Sequence, residues 1–243
     1  MKYPLMMFVI AMALFTGCVN AHSSTLSTYT FDRDSVTRGP YTLVFINRDT
    51  VFAHTGALVK KSMIAAFFKV YPAEAAMFNA NTPKHVVFLI DPNYQGVAAT
   101  FTSNVENTRV DTVHFNPGWM LKMPTDIDVV THEVMHIVQG YGYSAGPWWL
   151  TEGIADYARY KFGVDNSGAG WSMPDYKAGQ SYTNSYRISA RFLVWIEEKK
   201  TAHVVQKLDA ELRAHTFNDA TWKKLTGESV DELWNDYAAN PAI

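Results

Sequence analysis

The amino-acid sequence predicts an α+β fold, strand-rich in its first part and helical in its second. Three observations carry that prediction. Short runs of β-branched and aromatic residues, bounded by turn formers, fall before residue 125. After residue 126, apolar residues recur at helical spacing. At the join, His132 and His136 stand at i and i+4 in the first helical stretch, which puts both imidazoles on one face, a turn apart. The 243 residues are 48% hydrophobic and 14% aromatic, ample for one sizeable core and short for two large domains.

The N-terminus reads as a targeting segment. Lys2 precedes a short apolar stretch, Leu5 through Phe15, too short to span a bilayer comfortably. Two processing patterns are present. Val19-Asn20-Ala21 before His22 suits a signal peptidase and makes residues 1–21 a signal peptide. Leu14-Phe15-Thr16-Gly17-Cys18 resembles a lipobox, with cleavage before Cys18 and a lipid on that residue. Either route exports the chain, secreted or periplasmic in the first case and lipid-anchored at the cell envelope in the second. Cys18 is the only cysteine, so no intrachain disulfide is possible. The net charge of −2 offers no electrostatic footprint for nucleic acid or an anionic membrane, so a lipid on Cys18 is the one membrane attachment expected.

Residues 22–243 are expected to form a single domain, strand-rich over 22–125 and helical over 126–243. Tyr41 to Ile46 reads as a strand, and Gly56 to Phe68 as a helix ended near Pro72. His85 to Ile90 is a buried-type strand stopped by Asp91-Pro92-Asn93. Gly96 to Thr102 and Thr108 to Asn116 are two further strands, the second alternating well. A helix follows over Asp126 to Val138, with acidic residues in its first turn and Gly140 at its exit. After a turn-rich loop, Tyr141 to Trp148, come helices over Thr151 to Phe162, Tyr186 to Lys199, Val204 to His215 and Val230 to Tyr237. Thr226-Gly227-Glu228-Ser229 supplies a loop and an N-cap for the last.

His132-Glu133-Val134-Met135-His136 fits the H-E-x-x-H pattern, two ligands on one helical face with a carboxylate on its shoulder. Glu133 is placed there to polarise a water held by the metal instead of ligating the metal itself. Catalytic zinc sites take three protein ligands and leave a position for water or substrate. Downstream, Glu152 offers the third ligand, a hard oxygen beside two borderline nitrogens. Asp156, four residues on, faces the same way and suits a hydrogen bond to the free ring nitrogen of a ligating histidine. The rival scheme, a third histidine six residues after the second, fails because that position is Gly142. The expected cofactor is one Zn2+ per chain.

These residues resemble those of the basic secretory proteins, peptidases of plants and bacteria grouped with the gluzincin-type zinc metallopeptidases. The resemblance covers roughly residues 40 to 238. It is carried by His132 to Gln139, Leu150 to Tyr157, Tyr186 to Leu193 and Leu233 to Tyr237. It implies a zinc-dependent peptidase fold, with Tyr186 matching a tyrosine that begins a helix behind the site. The chain departs from the family in charge, since it is not basic. Sheet first and helices after suits a zincin-like fold with a cleft between the two parts.

The function expected is an exported zinc metallopeptidase acting on protein or peptide substrates, as an endopeptidase or alternatively an aminopeptidase. Glu133 accepts the proton of the attacking water and hands it to the leaving amine. The tetrahedral intermediate needs a further donor. Tyr186 is the candidate, with a buried helix tyrosine as the competing reading, and Tyr141, Tyr143 and His203 stand behind it. Arg109 to Asn116 reads either as a sheet edge on which a peptide is laid or as an internal strand. His114 reads as structural, and Trp148, Trp149 and Trp171 as cleft walls or core. The alternative function is an exported, non-catalytic binding module with a structural zinc. An intact Glu133 discriminates against it, because a structural site needs no general base.

Overall fold

The computed structural model describes residues 32–106 and 108–243. The targeting segment expected over residues 1–21, Cys18 included, lies outside the described residues. Five strands form one mixed sheet. β1 (Asp32–Arg38) and β2 (Tyr41–Asn47) are an antiparallel hairpin, turning at Gly39, whose φ of 56° a glycine adopts without strain. β3 (His85–Ile90) lies parallel to β2. β4 (Ala98–Val105) and β5 (Thr108–Phe115) form a second hairpin, of which β5 pairs parallel with β3. The order is therefore β1-β2-β3-β5-β4. This corrects one reading of Arg109 to Asn116. That strand is internal, paired with β3 on one side and β4 on the other, and among the described residues β4 is the edge strand at that end of the sheet. Asn116 leaves the strand and caps the helix that follows, its side chain accepting from the Gly118 and Trp119 amides.

The first part is not only strands. A parallel β2–β3 pair needs a long crossover, which helices usually supply. Here α1 (Thr50–Thr55), capped by Asp49, and α2 (Ala57–Phe78) fill it. The expected stop near Pro72 does not occur, and α2 continues to Phe78. A proline inside a helix costs roughly 3 kcal/mol. Beyond or beside it Tyr71, Ala75 and Phe78 are buried, and a fully buried large side chain contributes about 1.5–3 kcal/mol. Tertiary burial therefore outweighs the local break. The inner face of the sheet, Leu43, Phe45, Val86, Phe88, Val113 and Phe115, packs on this helix through Met63 and Phe67. Phe88 meets Phe67 and Phe115 edge-on at 5.5 Å and 5.0 Å.

α3 (Pro117–Lys122) leads to α4 (Val129–Gln139), which begins later than the expected Asp126 and has no acidic residue in its first turn. The two aspartates before it are engaged elsewhere. Asp128 accepts from the Val164 and Asp165 amides, both at 2.6 Å, and Asp126 pairs with Arg159 and the Trp119 indole. Gly140, at φ 55°, closes α4 in the left-handed conformation as expected.

The helical part follows with α5 (Trp148–Phe162), a 3-10 turn (Tyr182–Asn184) and α6 (Tyr186–Lys199). After these come α7 (Val204–Arg213), α8 (Ala220–Thr226) and α9 (Val230–Ala239). Ser229 caps α9 in a capping box with Glu232. α4 packs against α2 and α5 and lies beside the β4–β5 end of the sheet. No helix among the described residues is long and apolar enough to cross a membrane.

Candidate metal centre

α4 and α5 bring three ligand-type atoms together. His132 Nε2 lies 3.2 Å from both His136 Nε2 and Glu152 Oε2, and His136 Nε2 lies 3.6 Å from the same oxygen. Each imidazole is aimed by what holds its other nitrogen. His132 Nδ1 donates to Asp156 Oδ1 at 2.7 Å, and His136 Nδ1 donates to Gln139 Oε1 at 2.7 Å. Gln139 is held in turn, because its amide nitrogen donates to the Thr151 carbonyl. A proton fixed on each Nδ1 leaves both Nε2 lone pairs turned toward one point. Gln139 was not singled out in the sequence. Its i+3 spacing from His136 puts it within reach on the same helix, but that spacing alone does not mark it out.

A glycine makes the approach of the third helix possible. A Cβ on Gly153 would sit 2.7 Å from the Ser189 Cβ, so α5 and α6 touch where Glu152 and Asp156 are presented. α6 opens on two residues with positive φ, Ser185 at 65° and Tyr186 at 50°. Such conformations cost on the order of 1–3 kcal/mol each outside glycine and occur where the surroundings impose them. Their effect here is to lay the Tyr186 ring against His132, centroids 6.0 Å apart and planes 24° apart, with Trp148 edge-on at 5.4 Å. Tyr186 is 45% exposed, which excludes a buried helix tyrosine.

Without a metal, the Glu152 and Asp156 carboxylates favour positive charge at this point, carried by a proton on the His132 imidazole. Burial pushes the His132 imidazole toward neutrality, but its bonds to Asp156 and Glu152 outweigh that and raise its pKa. Burial likewise opposes charge on Glu152, and bonds from His132 and His136 overcome it and hold its carboxyl low. Two imidazoles and a carboxylate whose ligand atoms all lie within 4.8 Å of one another form a donor set that fits a zinc ion.

These groups line a cleft of about 1170 Å³. Glu133, 6% exposed, lines it too, and its Oε2 accepts from the Thr100 hydroxyl at 2.9 Å. Trp148 and Trp171 are walls of the cleft, while Trp149 stacks on Trp222 in the helical layer. The other donor candidates separate from Tyr186. The Tyr141 hydroxyl is buried and donates to Asp209, Tyr143 is 97% exposed, and the His203 ring pairs with Gln206 outside the cleft. His114 pairs with Asp91, a structural contact.

Fold and cleft together define a mixed α+β protein with a His-His-Glu cluster poised for a metal. The chain belongs to the family described as peptidases of plants and bacteria (BSP), whose profile matches residues 53–237. That span contains the whole cluster and is the family the sequence motifs resemble. Neither the curated proteins nor the solved structures contain a significant match.

Proposed function

We propose that the chain is an exported, zinc-dependent metallopeptidase with a zincin-like fold, acting on protein or peptide substrates. His132 Nε2, His136 Nε2 and Glu152 Oε2 would hold one Zn2+. The observation that carries the reading is the convergence of these three atoms in the cleft, with the Glu133 carboxylate in the same cleft but outside the cluster. When bound, zinc polarises the scissile carbonyl and acidifies the attacking water.

The remaining work belongs to the protein's own groups. Glu133 takes the proton released by the attacking water and delivers it to the leaving amine nitrogen. Tyr186 donates a hydrogen bond from its hydroxyl to the oxygen that gains charge on the former carbonyl. Burial raises the pKa of that phenol, and the nearby Glu152, Asp156 and Glu133 carboxylates raise it further, so it keeps its proton at neutral pH. Among the described residues β4 is an edge strand beside α4, and that edge suits an extended peptide added as a further strand.

The test is elemental analysis of the purified mature protein together with cleavage of an unfolded protein, with and without a chelator. Glu133→Gln is expected to keep metal and fold while turnover falls roughly a hundredfold or more. Proteolysis that survives this change, or that persists after the metal is removed, overturns the reading. Zinc retention with no hydrolysis by the wild type establishes a binding module in its place.

A further inference from the structure

The carboxylate of Glu133 is held from the sheet. Thr100, on the edge strand β4, has its hydroxyl 2.9 Å from Glu133 Oε2 and 2.8 Å from the Glu133 carbonyl oxygen. The two residues are 33 positions apart, so no local pattern links them. Among the described residues, Glu133 Oε2 has this one side-chain donor and Oε1 makes no hydrogen bond.

The chemistry of the two groups gives the contact a direction. An ionised carboxylate only accepts, and a threonine hydroxyl has one proton to give. The hydroxyl is shared between a side-chain and a main-chain oxygen of one residue, so it fixes the torsions of Glu133 relative to its own helix. β-branching restricts χ1 of Thr100, which aims the hydroxyl instead of letting it swing. With Oε2 tied to the strand, Oε1 is the oxygen left to work. A proton leaving water forms its new bond to Oε1, then passes from Oε1 to the leaving nitrogen, while the Thr100 bond to Oε2 persists throughout.

We propose that Thr100 is a positioning residue that locks the general base to the strand on which a peptide would be laid, and so fixes the distance from the scissile bond to Glu133 Oε1. The inference rests on the peptidase reading above. Misplacement of a reacting group by about 1 Å can cost about a hundredfold in rate without weakening substrate binding. A threonine that merely caps the Glu133 carbonyl would contribute to stability and leave turnover alone.

Thr100→Val keeps the shape and removes the hydroxyl, and Thr100→Ser keeps the hydroxyl. The valine variant is expected to hold zinc as the wild type does, to show kcat lower by roughly ten- to a hundredfold with KM within about twofold, and to be rescued by serine. Should valine prevent folding, Thr100→Ala is read in the same way. Wild-type kcat in the folded valine or alanine variant overturns the proposal, and so does a serine variant as slow as valine. A second readout needs neither metal nor turnover. In crystals of the metal-free variants the Glu133 carboxylate should leave its place in valine and keep it in serine, and an unmoved carboxylate in valine overturns the proposal. Absence of cleavage by the wild type overturns only the peptidase reading, since the crystallographic comparison still decides the role of Thr100.

Discussion

Replacing Asp156 by asparagine probes how the candidate metal centre is aimed while leaving every expected ligand in place. The Asp156 side chain is buried and accepts the His132 Nδ1 proton at 2.7 Å. Asparagine has nearly the same volume and can present an oxygen to the same proton, so the change is one of charge. A hydrogen bond to a charged group contributes about 1.5–3 kcal/mol and a neutral one about 0.5–1.5 kcal/mol. The difference, about 1–2 kcal/mol, corresponds to a five- to thirtyfold loss of zinc affinity, overlapping the roughly ten- to hundredfold loss usual for partners of ligating histidines. The assay is competition for zinc against a chelator of known affinity at fixed pH, with thermal melting of the metal-free protein as a control for folding. An unchanged titration in a folded Asp156→Asn protein would refute the reasoning and reduce the carboxylate to a packing group.

Other perturbations separate the remaining roles. Glu152→Ala should lose most of the zinc measured by elemental analysis, and full retention would move the third ligand elsewhere. Tyr186→Phe removes a hydroxyl from a half-exposed ring, so melting should change little while kcat falls by roughly a hundredfold, about 2.7 kcal/mol. Normal kcat with normal metal would exclude Tyr186 as the oxyanion donor. Burial raises the Asp209 carboxyl to about 6 from 3.8, even though Arg213 and the Tyr141 hydroxyl oppose it. The folded state therefore binds that proton more tightly than the unfolded chain. Its contribution to stability is present below about pH 4 and is lost as pH rises through about 6, by up to roughly 3 kcal/mol. Asp209→Asn should flatten this component in urea unfolding between pH 4 and 7, and the same pH difference as the wild type would refute the assignment.

Much of the candidate site was legible because its parts sit on single helices. The i, i+4 relation of His132 and His136, and that of Glu152 and Asp156, follows from the 3.6-residue period without knowledge of any neighbour. The exit of α4 at Gly140 and the span of α6 from Tyr186 to Lys199 were equally local, marked by a left-handed cap and an apolar period. Gln139 was missed because a glutamine three residues after a histidine has no distinct signature until its other end is seen on the Thr151 carbonyl. α1, α3 and α8 were missed because six- or seven-residue helices carry too few turns for a period to show.

The sequence by itself determined the residues of the His-His-Glu cluster and the faces that present them, because each depends on periodicity within one element. Tertiary structure alone decided that β4 lies outside β5 in the described sheet, that α2 runs through Pro72, and that Thr100 reaches Glu133 across 33 residues. Strand order, a helix carried past its breaker and a contact between sheet and helix are fixed by burial between elements. Their energies exceed local preference, and no run of neighbouring residues encodes them.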